Sequence, residues 1–216
     1  MSAIGRTFAR GHDRLFAAVY DPILAGAERA GLAEVRAELL AEARGRTLEI
    51  GAGTGANLAH VPPAVTGLTL VEPSEGMRAR LTRRLASEPH LPPTVVLPGD
   101  AAALPLADAS MDTVVSTLVL CSVGDLPATL AEIERVLAPG GRLLLLEHVA
   151  GHGRTRRIQG AIDPLWRVLA QGCRLVRDTR AALEEAGFDT SEVTDWRLPG
   201  GGVTGPALRG TARRHA

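Results

Sequence analysis

Gly51, Gly53 and Gly55 alternate in the run Thr47-Leu48-Glu49-Ile50-Gly51-Ala52-Gly53-Thr54-Gly55-Ala56-Asn57. A short apolar segment feeds this bend, and helix-competent residues follow it. Glycine has no Cβ, so the backbone can turn sharply and lie against a ligand. The N–H groups that open the next helix then face that ligand. Acids stand at or near the ends of successive apolar runs: Glu49 within the first, Glu72 after the second and Asp100 after the third. A carboxylate accepts two hydroxyl protons, so Glu72 suits a ribose diol, at roughly 1.5–3 kcal/mol per charge-assisted bond. Asp100 can accept a proton from an adenine amino group. In an open α/β sheet such a strand-to-helix turn is where a nucleotide-like cofactor sits.

The segment Gly51 to Ala56 also satisfies the loose dinucleotide pattern G-x-G-x-x-G/A, with Glu72 about twenty residues on. Taken alone, it does not separate a nicotinamide enzyme from a methyltransferase. Glu49 weighs against the dinucleotide, because a carboxylate two residues before the glycines serves a cationic amino-acid ligand and not a pyrophosphate. Its alternative role is to face a helix N-terminus. The chain contains no Lys, so a Tyr-x-x-x-Lys hydride-transfer pair is excluded.

The elements that must position these residues alternate in type. Residues 48–50, 68–71, 95–97, 113–119 and 142–148 are short apolar runs bounded by Gly, Pro or Asp and read as buried strands. Helical patterns lie between them, notably at 75–87 and 126–137. Such alternation predicts βαβ units and a mostly parallel sheet. Helices are expected at 158–170 and 179–186, then strands at 192–198 and 208–213 joined by a glycine-rich loop, an antiparallel hairpin at the sheet edge. At the N-terminus, Phe8, His12, Phe16 and Tyr20 share one helical face, and Arg6, Arg10 and Arg14 form a second stripe. This arm is expected to pack on the domain, to cover the substrate site as a lid, or to touch a membrane surface. The division expected is an arm over 1–44, a cofactor-binding core over 45–150 and a substrate side over 151–216.

The chain has 216 residues, 45% of them hydrophobic, and a formal net charge of +0, which fits one domain with a sizeable core and gives no electrostatic pointer to nucleic acid. Cys121 and Cys173 are the only cysteines, too few for a disulfide framework and at no metal-binding spacing, and the histidines are scattered, so no metal is expected. No apolar signal segment opens the chain and no run suits a transmembrane helix, so a cytoplasmic location is expected.

The series continues with Asp112 opening the fourth strand, Thr117-Leu118 closing it, and Arg135-Val136-Leu137-Ala138-Pro139-Gly140-Gly141-Arg142, a helix end, a Pro-Gly-Gly turn and a fifth strand. From about Arg46 to His148 the whole series resembles the class I S-adenosylmethionine-dependent methyltransferases of the type 11 family. The resemblance implies a Rossmann-like α/β fold: a seven-stranded, mostly parallel sheet with an antiparallel terminal hairpin and helices on both faces. It implies S-adenosyl-L-methionine as cofactor. Gly51, Ala52 and Gly53 would then hold its methionine part, with Glu49 near the ammonium or ordering the loop. Glu72 would take the ribose hydroxyls, and Pro73 and Met77 would pack near the adenine, although Met77 also fits simple core packing. Asp100 and the Ala101 N–H would contact the adenine, and Thr117 would lie under the sulfonium.

The downstream half carries a narrower resemblance. Thr117-Leu118-Val119-Leu120-Cys121-Ser122-Val123, Glu147-His148-Val149, Asp163-Pro164-Leu165-Trp166, and Gly172-Cys173-Arg174-Leu175 with Arg177-Asp178-Thr179 look like the methyltransferase-like thiol S-methyltransferases. Those animal enzymes methylate alkyl thiols at the endoplasmic-reticulum membrane; their N-terminal membrane anchor is not expected here. The expected acceptor is a small molecule, a thiol or else an O-, N- or C-nucleophile such as a quinone, phospholipid or secondary metabolite. A non-catalytic S-adenosylmethionine-binding protein is the remaining alternative. Peripheral membrane contact stays open, and nothing fixes the oligomeric state. His148, at the end of the fifth strand, is the candidate base, since histidine ordinarily titrates near neutrality. Its alternative role is to hold loop backbone. Cys121 and Cys173 read as packing residues, His152 as a solvated loop residue, and Arg154, Arg156 and Arg157 as a solvated loop with an anion site as the sharper reading.

Overall fold

In the computed structural model, which describes residues 20–22 and 24–214, every apolar run expected to be a strand is one. The strands are β1 (Gly45–Ile50), β2 (Val65–Val71), β3 (Thr94–Leu97), β4 (Met111–Thr117), β5 (Leu137–His148), β6 (Phe188–Arg197) and β7 (Pro206–Arg214). They form one seven-stranded sheet in the order β3-β2-β1-β4-β5-β7-β6. Strands β1 to β5 pair in parallel, and β7 runs antiparallel to both β5 and β6.

Both faces of the sheet are covered, which is why the central strands are buried on both sides and do not alternate between apolar and exposed polar residues. In β5, Leu143 and Leu145 enter the core shared with α3 (Leu126–Val136) and α5 (Thr179–Glu185). Leu144 and Leu146 enter the opposite core, with α1 (Ala33–Leu40) and Leu81 of α2 (Glu75–Leu85). These four leucines have no exposed surface. Each contributes about 1.5–3 kcal/mol by burial. Caps start the helices where the sequence turns polar. The Ser74, Asp125 and Asp178 side chains accept backbone N–H bonds at the starts of α2, α3 and α5.

Several element ends differ from the sequence reading, β6 beginning at Phe188 and β4 ending at Thr117 among them, and two differences matter for the site. Strand β5 begins at Leu137, because Leu137 pairs with Met111 before the Pro-Gly-Gly segment shifts the register. Helix α4 (Gly153–Leu169) begins five residues before the expected position, so Arg154, Arg156 and Arg157 lie in its first turns and not in a loop. Phe8, His12, Phe16 and the arginine stripe of the N-terminal arm lie outside the described residues. No helix among the described residues is long and apolar enough to cross a membrane.

The strand order reverses between β1 and β4. Parallel strands on either side of such a point send their connections to opposite faces, which opens a crevice at the carboxyl ends. The far edge depends on Gly210, in β7 between β5 and β6. Its φ is +140°, and a Cβ there would lie 2.1 Å from the Glu192 carbonyl oxygen and 2.9 Å from Val193 Cα. Gly210→Ala is therefore expected to cost at least about 2 kcal/mol, as backbone strain plus lost pairing, read as a lower urea midpoint at unchanged slope.

Candidate active site

The glycine bend closes the carboxyl end of β1. Gly51, Gly53 and Gly55 all have positive φ, at 56°, 57° and 87°. Their surroundings differ. A Cβ on Gly51 would meet Val119 at 2.6 Å, and one on Gly55 would meet Leu58 and Leu81 at 2.8 Å. A Cβ on Gly53 would meet only the Gly51 carbonyl oxygen, at 3.9 Å. The outer glycines thus seat the loop on the core, and the middle one presents bare backbone to open space. That is a cradle for a ligand to lie against.

Glu72, at the end of β2, shapes the same cradle. One carboxylate oxygen accepts the Gly53 N–H at 2.9 Å and the other accepts the Ser74 N–H at 2.8 Å. A carboxylate has about four acceptor sites and can take several donors at once. Met77 is buried in the first turn of α2, where its N–H caps onto Ser74, and Pro73 is exposed beside it. Asp100 is exposed, with one oxygen accepting the Ala102 N–H at 3.0 Å, and Ala101 is buried next to it. The structure thus gathers Gly51, Ala52, Gly53, Glu72, Pro73, Met77, Asp100 and Ala101 at the carboxyl ends of β1, β2 and β3.

Glu49 lies deeper. It is buried in β1, and its Oε1 accepts the Asn57 amide at 3.0 Å. Desolvation pushes its carboxyl up to about 7, against the opposing pull of Asn57 and Arg36. Arg36, from α1, is the residue that sequence reasoning missed. Its guanidinium is buried, pairs with Glu28 at 3.1 Å, and donates to Asn57 Oδ1 and to the Thr117 hydroxyl, each at 3.0 Å. Asn57 also donates to Thr117 at 3.0 Å. With both lone pairs occupied, the Thr117 hydroxyl is left to donate its own proton. The buried network therefore links a carboxyl and a guanidinium through Asn57 behind the glycine loop. A zwitterionic amino-acid group has the complementary pair of charges.

Two residues of the N-terminal arm reach this place. Asp21 accepts a hydrogen bond from the Thr54 hydroxyl in the glycine loop, at 2.5 Å. The Tyr20 phenol is pushed up to about 12 by burial.

The other half of the crevice surrounds the tip of β4. Glu147 is fully buried in β5, and burial raises its carboxyl above the usual range. Its oxygens accept the Ser116 hydroxyl at 2.6 Å, the Val119 N–H at 3.0 Å and the Cys121 N–H at 3.2 Å. Leu118, within this turn, holds φ +61°, a strained value for a residue with a side chain. His148 follows Glu147, with its Nδ1 3.5 Å from Cys173 Sγ, and the Cys173 and Cys121 sulfurs are 3.6 Å apart. The shared hydrogen bond raises Cys121 and lowers Cys173, and burial adds to the rise at Cys121 while His148 adds to the fall at Cys173. No spacing in the sequence relates residues 121, 148 and 173. The loop carrying Cys173 is tied down by Asp163, which accepts the Leu175 N–H at 2.7 Å, and by the Arg174 N–H on the Cys121 carbonyl at 2.9 Å.

The Glu49 carboxyl carries a stability consequence. It holds its proton to about pH 7 in the fold, against an ordinary value of 4.5. Between those values the folded state binds the extra proton, so this group's cost appears as pH rises through that window. Glu49→Gln is expected to leave stability unchanged near pH 4.5 and to raise it at pH 8 by up to roughly 3 kcal/mol, read from urea unfolding of the ligand-free protein.

Comparison with known proteins matches residues 48–145 to the family described as Methyltransferase domain. The human thiol S-methyltransferase TMT1B is 42% identical over 156 residues, covering 70% of this chain and 62% of that protein. Its Rattus norvegicus counterpart is 38% identical over 156 residues, covering 70% of this chain and 63% of its own length, so the chain spans less than two thirds of these relatives. A solved S-adenosylmethionine-dependent methyltransferase from Thermotoga maritima superposes with a TM-score of 0.68 at 24% identity, covering 94% of this chain and 98% of that one. The [4+2]-cyclase SpnF superposes with a TM-score of 0.67 at 21% identity, covering 86% and 80%, so the fold alone does not fix the reaction. With the sheet order, the glycine bend and these relatives taken together, the chain resembles the class I S-adenosylmethionine-dependent methyltransferases, and its residues 48–145 match a methyltransferase domain.

Proposed function

We propose that this protein transfers a methyl group from S-adenosylmethionine to a small acceptor, and that the acceptor is a thiol. The observation that carries the reading is the crevice between β1 and β4. There the bare backbone at Gly53, the Glu72 carboxylate and the buried Glu49–Arg36 pair converge, complementary to an adenosyl amino acid at each of its polar groups. Glu72 holds the ribose hydroxyls, Asp100 and the Ala101 N–H hold the adenine, and Pro73 and Met77 flank it. Gly51, Ala52 and Gly53 lie along the methionine part above Thr117, with Glu49 toward its ammonium. Arg36 is the partner for its carboxylate.

When bound, the cofactor supplies an electrophilic methyl on a positively charged sulfur. The protein's task is then alignment and exclusion of water, which in favourable cases supplies about 7–11 kcal/mol. A thiol ordinarily ionises near 8.5 and the thiolate is the nucleophile, so it needs less help than an oxygen or carbon acceptor. His148, beside the β4 tip, is placed to aid that ionisation. The names of the relatives and the sulfur-rich acceptor side support a thiol over a quinone or amine. Tyr20 and Asp21 support reading the N-terminal arm as a cover for the crevice. Leu165, Val168 and Leu169 are exposed on α4, which makes this helix the place for peripheral membrane contact. The unpaired cysteines fit a reducing, cytoplasmic location.

A screen of small thiols, phenols, amines and quinone precursors, read as S-adenosylhomocysteine release, is expected to find alkyl thiols turned over fastest. Turnover confined to oxygen, nitrogen or carbon acceptors would end the thiol reading, and no turnover with any of them would end the enzymatic one. Glu72→Ala and Asp100→Ala are each expected to weaken cofactor binding by about tenfold or more, the loss of one charge-assisted contact, by calorimetry. His148→Ala should lower turnover more than cofactor affinity.

A further inference from the structure

We propose that Cys121, Cys173 and Nδ1 of His148 form a site for one soft divalent cation of the zinc class, with the fourth position open to the thiolate of an acceptor. The site rests on the thiol reading only for that fourth ligand. The three residues come from separate parts of the chain: the turn after β4, the end of β5, and the loop between α4 and α5. Each is held by bonds that do not use its own ligand atom. Glu147 accepts the Cys121 N–H, the Arg174 N–H fixes the Cys121 carbonyl, and Arg177 donates to the Leu120 and Val123 carbonyls across the same turn. The Cys173 N–H donates to the Ala170 carbonyl and His148 pairs with Ala207 of β7, so the backbone that carries all three ligands is held before any ion arrives, which is preorganisation.

Two of the three edges match those of a tetrahedral centre. Zinc–sulfur bonds of about 2.3 Å and zinc–nitrogen bonds of about 2.0–2.1 Å put the sulfur–sulfur edge near 3.8 Å and the sulfur–nitrogen edge near 3.6 Å. The observed edges are 3.6 Å between the sulfurs and 3.5 Å from Cys173 to His148. The remaining edge, Cys121 to His148, is within 4.8 Å. Two thiolates and one imidazole select a soft or borderline ion such as zinc over magnesium or calcium. No fourth Cys, His, Asp or Glu joins the group among the described residues. Glu147, the nearest carboxylate in sequence, is occupied by the Ser116, Val119 and Cys121 donors. Three protein ligands with one open position is the arrangement of reactive zinc sites, whereas structural sites close with four.

The consequence for an acceptor is specific. Two cysteine thiolates neutralise the dication. An incoming thiol gives up its proton to solvent as its sulfur bonds to the ion, and nothing is oxidised or reduced. The sulfur keeps lone pairs and stays ionised at neutral pH. His148 takes part as a ligand, with its proton fixed on Nε2, and the cation performs the ionisation.

The test uses the full chain, stripped with a chelator and held fully reduced without oxygen. Titration with cobalt(II) is expected to give thiolate-to-cobalt charge-transfer and tetrahedral ligand-field absorption that saturate at one ion per chain and are displaced by zinc. A small alkyl thiol should then intensify the charge-transfer band. Cys121→Ser and Cys173→Ser are expected to weaken uptake by about a hundredfold or more and His148→Gln by about tenfold or more, with the fold checked by circular dichroism. Reduced wild-type protein that takes up no cobalt at one ion per chain would overturn the site. So would uptake unchanged in the folded double variant Cys121→Ala/Cys173→Ala. The metal readout uses no methyl donor, so its failure leaves the methyltransferase reading standing, and failure to methylate thiols leaves the metal result standing.

Discussion

The carboxyl tip of β4 is held from both sides by buried carboxyl groups, and the rest of the crevice is built on that restraint. From β1, Glu49 reaches it through Asn57, which also bonds Thr117. From β5, Glu147 receives the Ser116, Val119 and Cys121 donors directly. Burying a carboxyl without partners costs several kcal/mol, so neither strand can shift against β4 without exposing that cost. The strained backbone of Leu118 persists because these bonds over-determine it.

This arrangement divides the crevice into a cofactor half and an acceptor half, with β4 as the wall. On the β1 side stand the glycine cradle, Glu72 and the Arg36–Glu49 pair. On the β5 side stand His148 and the two cysteines. Each side draws on a distant segment to complete it. Arg36 comes from the helix that precedes the sheet, and Cys173 comes from the loop between α4 and α5. Such long-range completion explains why a common sheet serves many reactions. The strands fix where chemistry can occur, and the covering segments decide which chemistry it is.

The sequence alone determined the sheet, its parallel sense, the terminal hairpin and the cofactor edge. Those features are local: apolar runs of strand length, turn residues between them, a glycine bend and acids at strand ends, all within a few residues of each other. Tertiary structure decided the rest. Asn57 was visible as part of the glycine run, yet its bonds to Glu49, Arg36 and Thr117 cross the chain and leave no periodic trace. Nothing in the sequence singles out Arg36, because only packing against the β1–β4 crevice removes it from water. Gly151 and Gly153 read as loop signals, yet α4 starts there, with the Thr155 and Arg156 N–H groups donating to the His152 carbonyl. In the sequence Cys121 and Cys173 read singly as packing residues and His148 as a base standing alone. Their meeting within 4.8 Å follows from strand order and from one anchored loop, neither of which residue spacing encodes.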